Sequence, residues 1–108
     1  MKTVSLLAAA AMFAFSMTAS AAVDADAATK SLKDNGCTKC HSVDKTKKGP
    51  SFKKVAADMK GKADAEAKLA TFLSTGPKVK MDDGTQEDHK AVKDPTVVKN
   101  LVQFILAQ

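Results

Sequence analysis

The segment Cys37-Thr38-Lys39-Cys40-His41 narrows what this chain can become more than any other. It holds the only two cysteines in 108 residues, three positions apart and followed at once by a histidine. A disulfide between such close neighbours closes almost no loop, so it takes little entropy from the unfolded chain and stabilises little. A thioredoxin-like dithiol calls for a strand–helix–strand setting, and the flanking sequence carries helical patterning instead. Zinc asks for four ligands, and the one other histidine, His89, makes a Cys2His2 set possible only by count.

The rest of the chain limits how much core is available. Lys2 precedes an uncharged, apolar run from Val4 to Met17, and the small residues Thr18-Ala19-Ser20-Ala21-Ala22 follow. A charged start, an apolar centre and an A-x-A-like end form an export signal, expected here over residues 1–22 with cleavage after Ala21 or Ala22. The run falls short of the roughly 20 residues that span a bilayer, so the mature form is expected not to cross a membrane. That leaves one domain, residues 23–108, of about 86 residues. A chain of that size builds a marginal core and usually adds a staple or a cofactor. With five Phe, no Tyr and no Trp, something besides side chains is expected to fill it.

Periodicity predicts four helices and no convincing strand. The first covers Ala25 to Asn35, with Asp24 as N-cap, Ala28 and Leu32 on the inner face and Gly36 as the stop. The second runs from Phe52 to Lys60, where Phe52, Val55, Ala56 and Met59 repeat at i, i+3, i+4 and i+7. The third runs from Ala65 to Thr75, with Asp64 as N-cap and Leu69, Phe72 and Leu73 as its face. The fourth covers Pro95 to Ala107. Asp94 caps it, Pro95 sits at N1 where its missing N–H costs nothing, and Val98, Leu101, Val102 and Ile105 form its stripe. Two loops remain, Gly36 to Gly49 around the cysteines and the polar stretch Gly76 to Lys93. A loop as long as the second is usually functional or disordered.

C-x-x-C-H is the attachment sequence for c-type haem. Two thiols one turn apart each form a thioether to one of two vinyl groups on the same porphyrin edge. The following histidine then lies under the iron, where its imidazole binds axially. Covalent capture suits a chain too short to bury the ring fully.

At these residues the chain resembles the class I cytochrome c family in its small bacterial periplasmic form. Besides the motif, the resemblance rests on Gly49-Pro50, eight and nine residues past His41, and on the final helix ending Leu101-Val102-Gln103-Phe104-Ile105-Leu106. It implies an all-α fold, with the first and last helices packed across each other and about four helices wrapped around one covalent haem c. It also implies that the carbonyl of Pro50 accepts a hydrogen bond from His41, fixing the tautomer of the axial ligand, a bond that tunes the metal.

The family usually takes its sixth ligand from a Met in the loop before the last helix, some five to seven residues ahead of it. Met81 is in that loop but thirteen residues before Asp94, and the turn-like Asp82-Asp83-Gly84 follows it, whereas His89 is five residues before Asp94. The segment Glu87 to Lys93 resembles a family variant in which His-x-x-Val replaces the Met. His89 is therefore the expected ligand, Met81 the alternative, and Met59 belongs to the core stripe. A Met/His pair raises the reduction potential; two imidazoles favour ferric iron and lower it.

Either pair closes the iron, so the expected function is outer-sphere electron transfer in the periplasm, between redox proteins. The alternative is a haem-based small-ligand sensor with a displaceable sixth ligand. Catalysis is not expected: there is no Arg, and one of the two histidines is already used, which leaves no distal acid–base set. Sixteen lysines against twelve acids give the mature side chains a balance of +4, nearer +2 with two propionates. Lys39, Lys45, Lys47, Lys48, Lys53 and Lys54 crowd the attachment loop. They suit an acidic protein partner met briefly rather than nucleic acid, and the protein is expected to be a monomer.

Overall fold

The computed structural model describes residues 22–108. The expected export signal lies outside the described residues apart from Ala22, which is exposed. The element order is α1 (Ala25–Asp34), a 3-10 turn (Cys37–Lys39), α2 (Phe52–Met59), α3 (Ala65–Thr75), β1 (Lys78–Lys80), β2 (Gln86–Asp88) and α4 (Pro95–Leu106).

α4 organises the domain. Its period-3.6 stripe puts Val98, Leu101, Val102 and Ile105 below one-tenth exposure, and α1, α2 and α3 all pack on it. Ala28 of α1, which is wholly buried, shares one core with Leu101 of α4, which is 1 % exposed. The two helices are also tied by polar groups. The Asn100 side chain accepts from the Asp24 amide at 2.9 Å and donates to the Asp24 carbonyl at 2.8 Å. Leu32, Phe52, Leu69, Leu73 and Val92 complete the core.

Helix ends follow from local chemistry. Asp24 accepts from the Ala27 amide, Ser51 from that of Lys54, and Asp94 from those of Thr96 and Val97, with Pro95 at N1. Each satisfies donors that the first turn leaves without partners. Asp64 differs from expectation. It makes no capping bond; its carboxylate pairs instead with Lys68 one turn along, at 3.1 Å.

Phe72 meets the ring of His89, while its neighbours Leu69 and Leu73 are buried in the core. One further expectation needs correction. The loop 76–93 is not irregular, because β1 and β2 pair antiparallel in the register Lys78–Asp88, Val79–Glu87 and Lys80–Gln86. Neither strand buries a face, so the apolar alternation that betrays a half-buried strand never appears in the sequence. The expected turn at Asp82-Asp83-Gly84 is present and closes the hairpin. Asp83 accepts from the amide and hydroxyl of Thr85, and Gly84 takes φ +85. The Lys78–Asp88 ion pair at 3.0 Å spans its open end.

Candidate functional site

The attachment loop is wound tightly. After Gly36 in the left-handed conformation, the 3-10 turn is closed by Cys40 and His41 amides donating to the Cys37 carbonyl, and the Gly49 amide donates back to Cys40 at 2.8 Å. Cys37 and Cys40 are half-buried and not joined to each other. Burial pushes the Cys37 thiol above its ordinary range, outweighing the opposing backbone hydrogen bond and the Lys90 charge.

The loop aims His41. Its Nδ1 lies 2.7 Å from the Pro50 carbonyl. A carbonyl only accepts, so Nδ1 carries the hydrogen and Nε2 keeps its lone pair for a metal. The ring stacks on Phe52 at 5.3 Å between centroids and 20° between planes. Gly49 crowds its edge: a Cβ there would stand 2.9 Å from Nδ1 and 3.0 Å from Nε2, and nearer still to Cε1. Only glycine fits.

His89 sits directly after β2. Its Nδ1 lies 3.0 Å from the Lys90 carbonyl, so its Nε2 is likewise left free. The edge of Phe72 meets the ring at 4.7 Å and 64°. Loss of water around the ring, opposed by the Lys90 carbonyl and helped slightly by His41, holds its pKa below the ordinary histidine value. The shift favours the neutral ring, the form that binds metal.

The centroids of the two rings are 6.2 Å apart and their planes are inclined at 54°. That is too far for stacking. Two nitrogen–metal bonds of about 2 Å, plus about 1.1 Å from each nitrogen to its ring centre, sum to about 6 Å. The two imidazoles are spaced so that they would hold an iron between them, and the cysteines stand in the same loop as one of them. A zinc cage does not form: among the described residues no three His, Cys, Asp or Glu side chains converge.

Of the other sequence candidates, Met59 is a half-buried part of the core edge. Met81 is at the hairpin turn, its amide bonded to the Thr85 carbonyl at 2.8 Å. Pro77 is level with His89, whose amide donates to the Pro77 carbonyl at 3.0 Å. Met81 is four residues farther along that strand, about 13 Å at 3.3 Å per residue. The aromatic neighbours Phe52 and Phe72 were visible in the sequence only as core positions. A helical period says which face is apolar, not which ring meets a histidine.

The lysine rim is smaller than expected. Lys53 pairs with Asp44 and Lys54 with Asp58, while Lys47 reaches the Thr38 carbonyl at 2.6 Å and keeps its charge unopposed. Lys39, Lys45 and Lys48 form no ion pair among the described residues, where no helix is long and apolar enough to cross a membrane.

Helices gathered on a C-terminal helix, with a C-x-x-C-H loop at their side, define a class I c-type cytochrome. The family model for cytochrome c matches residues 25–108, from the first residue of α1 to the last residue of the chain, and the chain belongs to that family. The fold is similar to the class 1 cytochrome MtoD from Sideroxydans lithotrophicus ES-1, with 52 % identity and a TM-score of 0.77, covering 80 % of this chain and 97 % of that one. It is also similar to cytochrome c552 of Nitrosomonas europaea, at 27 % identity and a TM-score of 0.60, covering 72 % and 95 %. Among curated relatives, cytochrome c-551 of Pseudomonas aeruginosa is 44 % identical over 45 residues, 42 % of this chain and 43 % of the relative. Cytochrome c-551 of Azotobacter vinelandii is 43 % identical over 44 residues, 41 % of this chain and 54 % of the relative. The chain thus spans about half the length of the curated relatives it matches. As a cytochrome c it carries covalently attached haem c with its iron.

Proposed function

We propose that this protein is a periplasmic electron carrier, passing single electrons between redox proteins, with a six-coordinate haem held by Cys37, Cys40, His41 and His89. The observation that carries this reading is the pair of imidazoles with centroids 6.2 Å apart, each with Nδ1 at a backbone carbonyl. Bound there, haem iron supplies a one-electron couple. The chain's part is to hold both rings still, so that little has to move when the charge changes. The Pro50 carbonyl, Phe52 and Gly49 restrain His41; the Lys90 carbonyl and Phe72 restrain His89. With both axial positions filled by protein there is no place for substrate, so the chain is not an enzyme. Lys39, Lys45, Lys47 and Lys48 offer an acidic partner a positive rim beside the attachment loop. The chain works as a monomer, binds no nucleic acid and loses residues 1–22 on export.

The far-red absorption of the oxidised protein tests the ligand set. A low-spin spectrum without the sulfur-to-iron charge-transfer band is expected. A clear band would move the sixth ligand to Met81. A high-spin spectrum would overturn the closed site and favour the reading as a sensor with an open position.

A further inference from the structure

The segment carrying His89 is docked on the end of α3 rather than left to the loop. The His89 amide donates to the Pro77 carbonyl at 3.0 Å, and the Val92 amide to the Leu73 carbonyl at 2.8 Å. Lys93 Nζ reaches the Ser74 carbonyl at 2.6 Å, and Phe72 touches the His89 ring. Val92 itself is buried in the core at 6 % exposure. The Leu73 and Ser74 carbonyls belong to the last turn of α3, which leaves such carbonyls without partners, so Val92 and Lys93 cap the helix, while the Pro77 carbonyl that holds His89 lies just past it.

Gly76 is the point on which this docking turns. It takes φ +57 at the end of α3. A Cβ there would stand 3.0 Å from both the amide nitrogen and the Cβ of Ala91, and would overlap the His89 carbonyl oxygen. The atoms in the way are mostly backbone, so a flexible tip cannot swing aside. Gly61 provides a contrast within the same chain. Its φ is +78, just as unfavourable to a side chain, yet a Cβ there would meet nothing within 4 Å.

We propose that Gly76 is a positioning residue for the sixth iron ligand: its missing side chain lets the His89 backbone close against the end of α3, and the hairpin β1–β2 returns the chain to that spot. The hairpin brings residue 89 level with residue 77, so the loop entropy spent in placing the ligand is that of a short closure rather than a long one. The proposal rests on His89 being the ligand, and the test separates the two claims.

The experiment uses the haem-loaded protein and its Gly76→Ala, Gly61→Ala and His89→Ala variants. The readouts are the ferric spin state, the rate at which external imidazole displaces the protein ligand, and the thermal midpoint. Gly76→Ala and Gly61→Ala both put alanine at positive φ and both lower the midpoint. Only Gly76→Ala is expected to show a high-spin fraction and to exchange with imidazole at least about tenfold faster, the equivalent of roughly 1.4 kcal/mol. Equal exchange rates in the two glycine variants overturn the proposal while leaving His89 as ligand. A His89→Ala spectrum identical to the parent overturns both claims. If Gly76→Ala does not fold, hydrogen exchange in the parent protein decides. The His89 and Val92 amides are expected to be protected as well as those of α4, and free exchange at both overturns the proposal.

Discussion

The two sides of the proposed haem site hold a histidine by the same bond but with different supports. On the attachment side, the Nδ1 of His41 meets a carbonyl nine residues away, across a loop that two cysteines also tie to the cofactor. On the other side, the Nδ1 of His89 meets the carbonyl of the very next residue, and its placement comes from a hairpin and the end of α3. One histidine is fixed by a sequence-local motif, the other by tertiary docking. The first side should therefore fail by losing the cofactor, and the second by opening the iron while the cofactor stays.

The largest expected effect is on the first side. Replacing Cys37 and Cys40 together by serine removes both thioether bonds, and the denatured protein is then expected to release its haem, measured by haem retained on a denaturing gel. Next comes the second side. Changing His89→Met is expected to keep the haem and raise the reduction potential by an amount on the order of 100 mV, within the roughly 0.8 V that axial ligands span; voltammetry reads it, and an unchanged potential breaks the comparison. Third, Gly49→Ala forces the His41 ring aside and is expected to cost about 1–3 kcal/mol in chemical denaturation, as overpacking does. Fourth, electron exchange with an acidic redox protein is expected to slow as salt rises, and more weakly so in a Lys47→Ala, Lys48→Ala double variant. Stopped-flow rates at two ionic strengths check this.

The smallest effect is confined to the hairpin tip. The Thr85 hydroxyl and amide hold the Asp83 carboxyl below the ordinary 3.8. A lowered carboxyl pKa adds stability above its unfolded value, and this is lost as pH falls through the folded one. Acid below about pH 3.8 is expected to loosen this turn first. Asp83→Asn should remove that step, followed by the Thr85 amide signal in NMR.

The asymmetry also governs what the sequence revealed. All four helices could be read from period and caps to within a residue at each end, because α1, α2 and α3 each bury a stripe on α4 and most helix ends fall at Asp, Ser, Pro or Gly. The attachment side was equally legible, since cysteine, histidine, glycine and proline act there at fixed short spacings. The hairpin was not: its strands bury neither face, so the hydrophobic effect wrote no pattern into them. Phe72 satisfied the helical period of α3 but meets the His89 ring, and Asp64 chose Lys68 over the helix end. In both cases a polar or ring partner outside the periodic pattern decided the outcome.

The clasp between Asp24 and Asn100 joins residues 76 positions apart. The chain therefore cannot shut until nearly all of it has been delivered. Contacts that distant in sequence are slow to form because the intervening loop must close first. Until Asn100 and the buried face around Leu101 arrive, the Cys37–His41 segment has no finished domain around it. Closure of α1 on α4 is thus expected late in folding, after the local turn at Cys37–His41, which needs no distant partner.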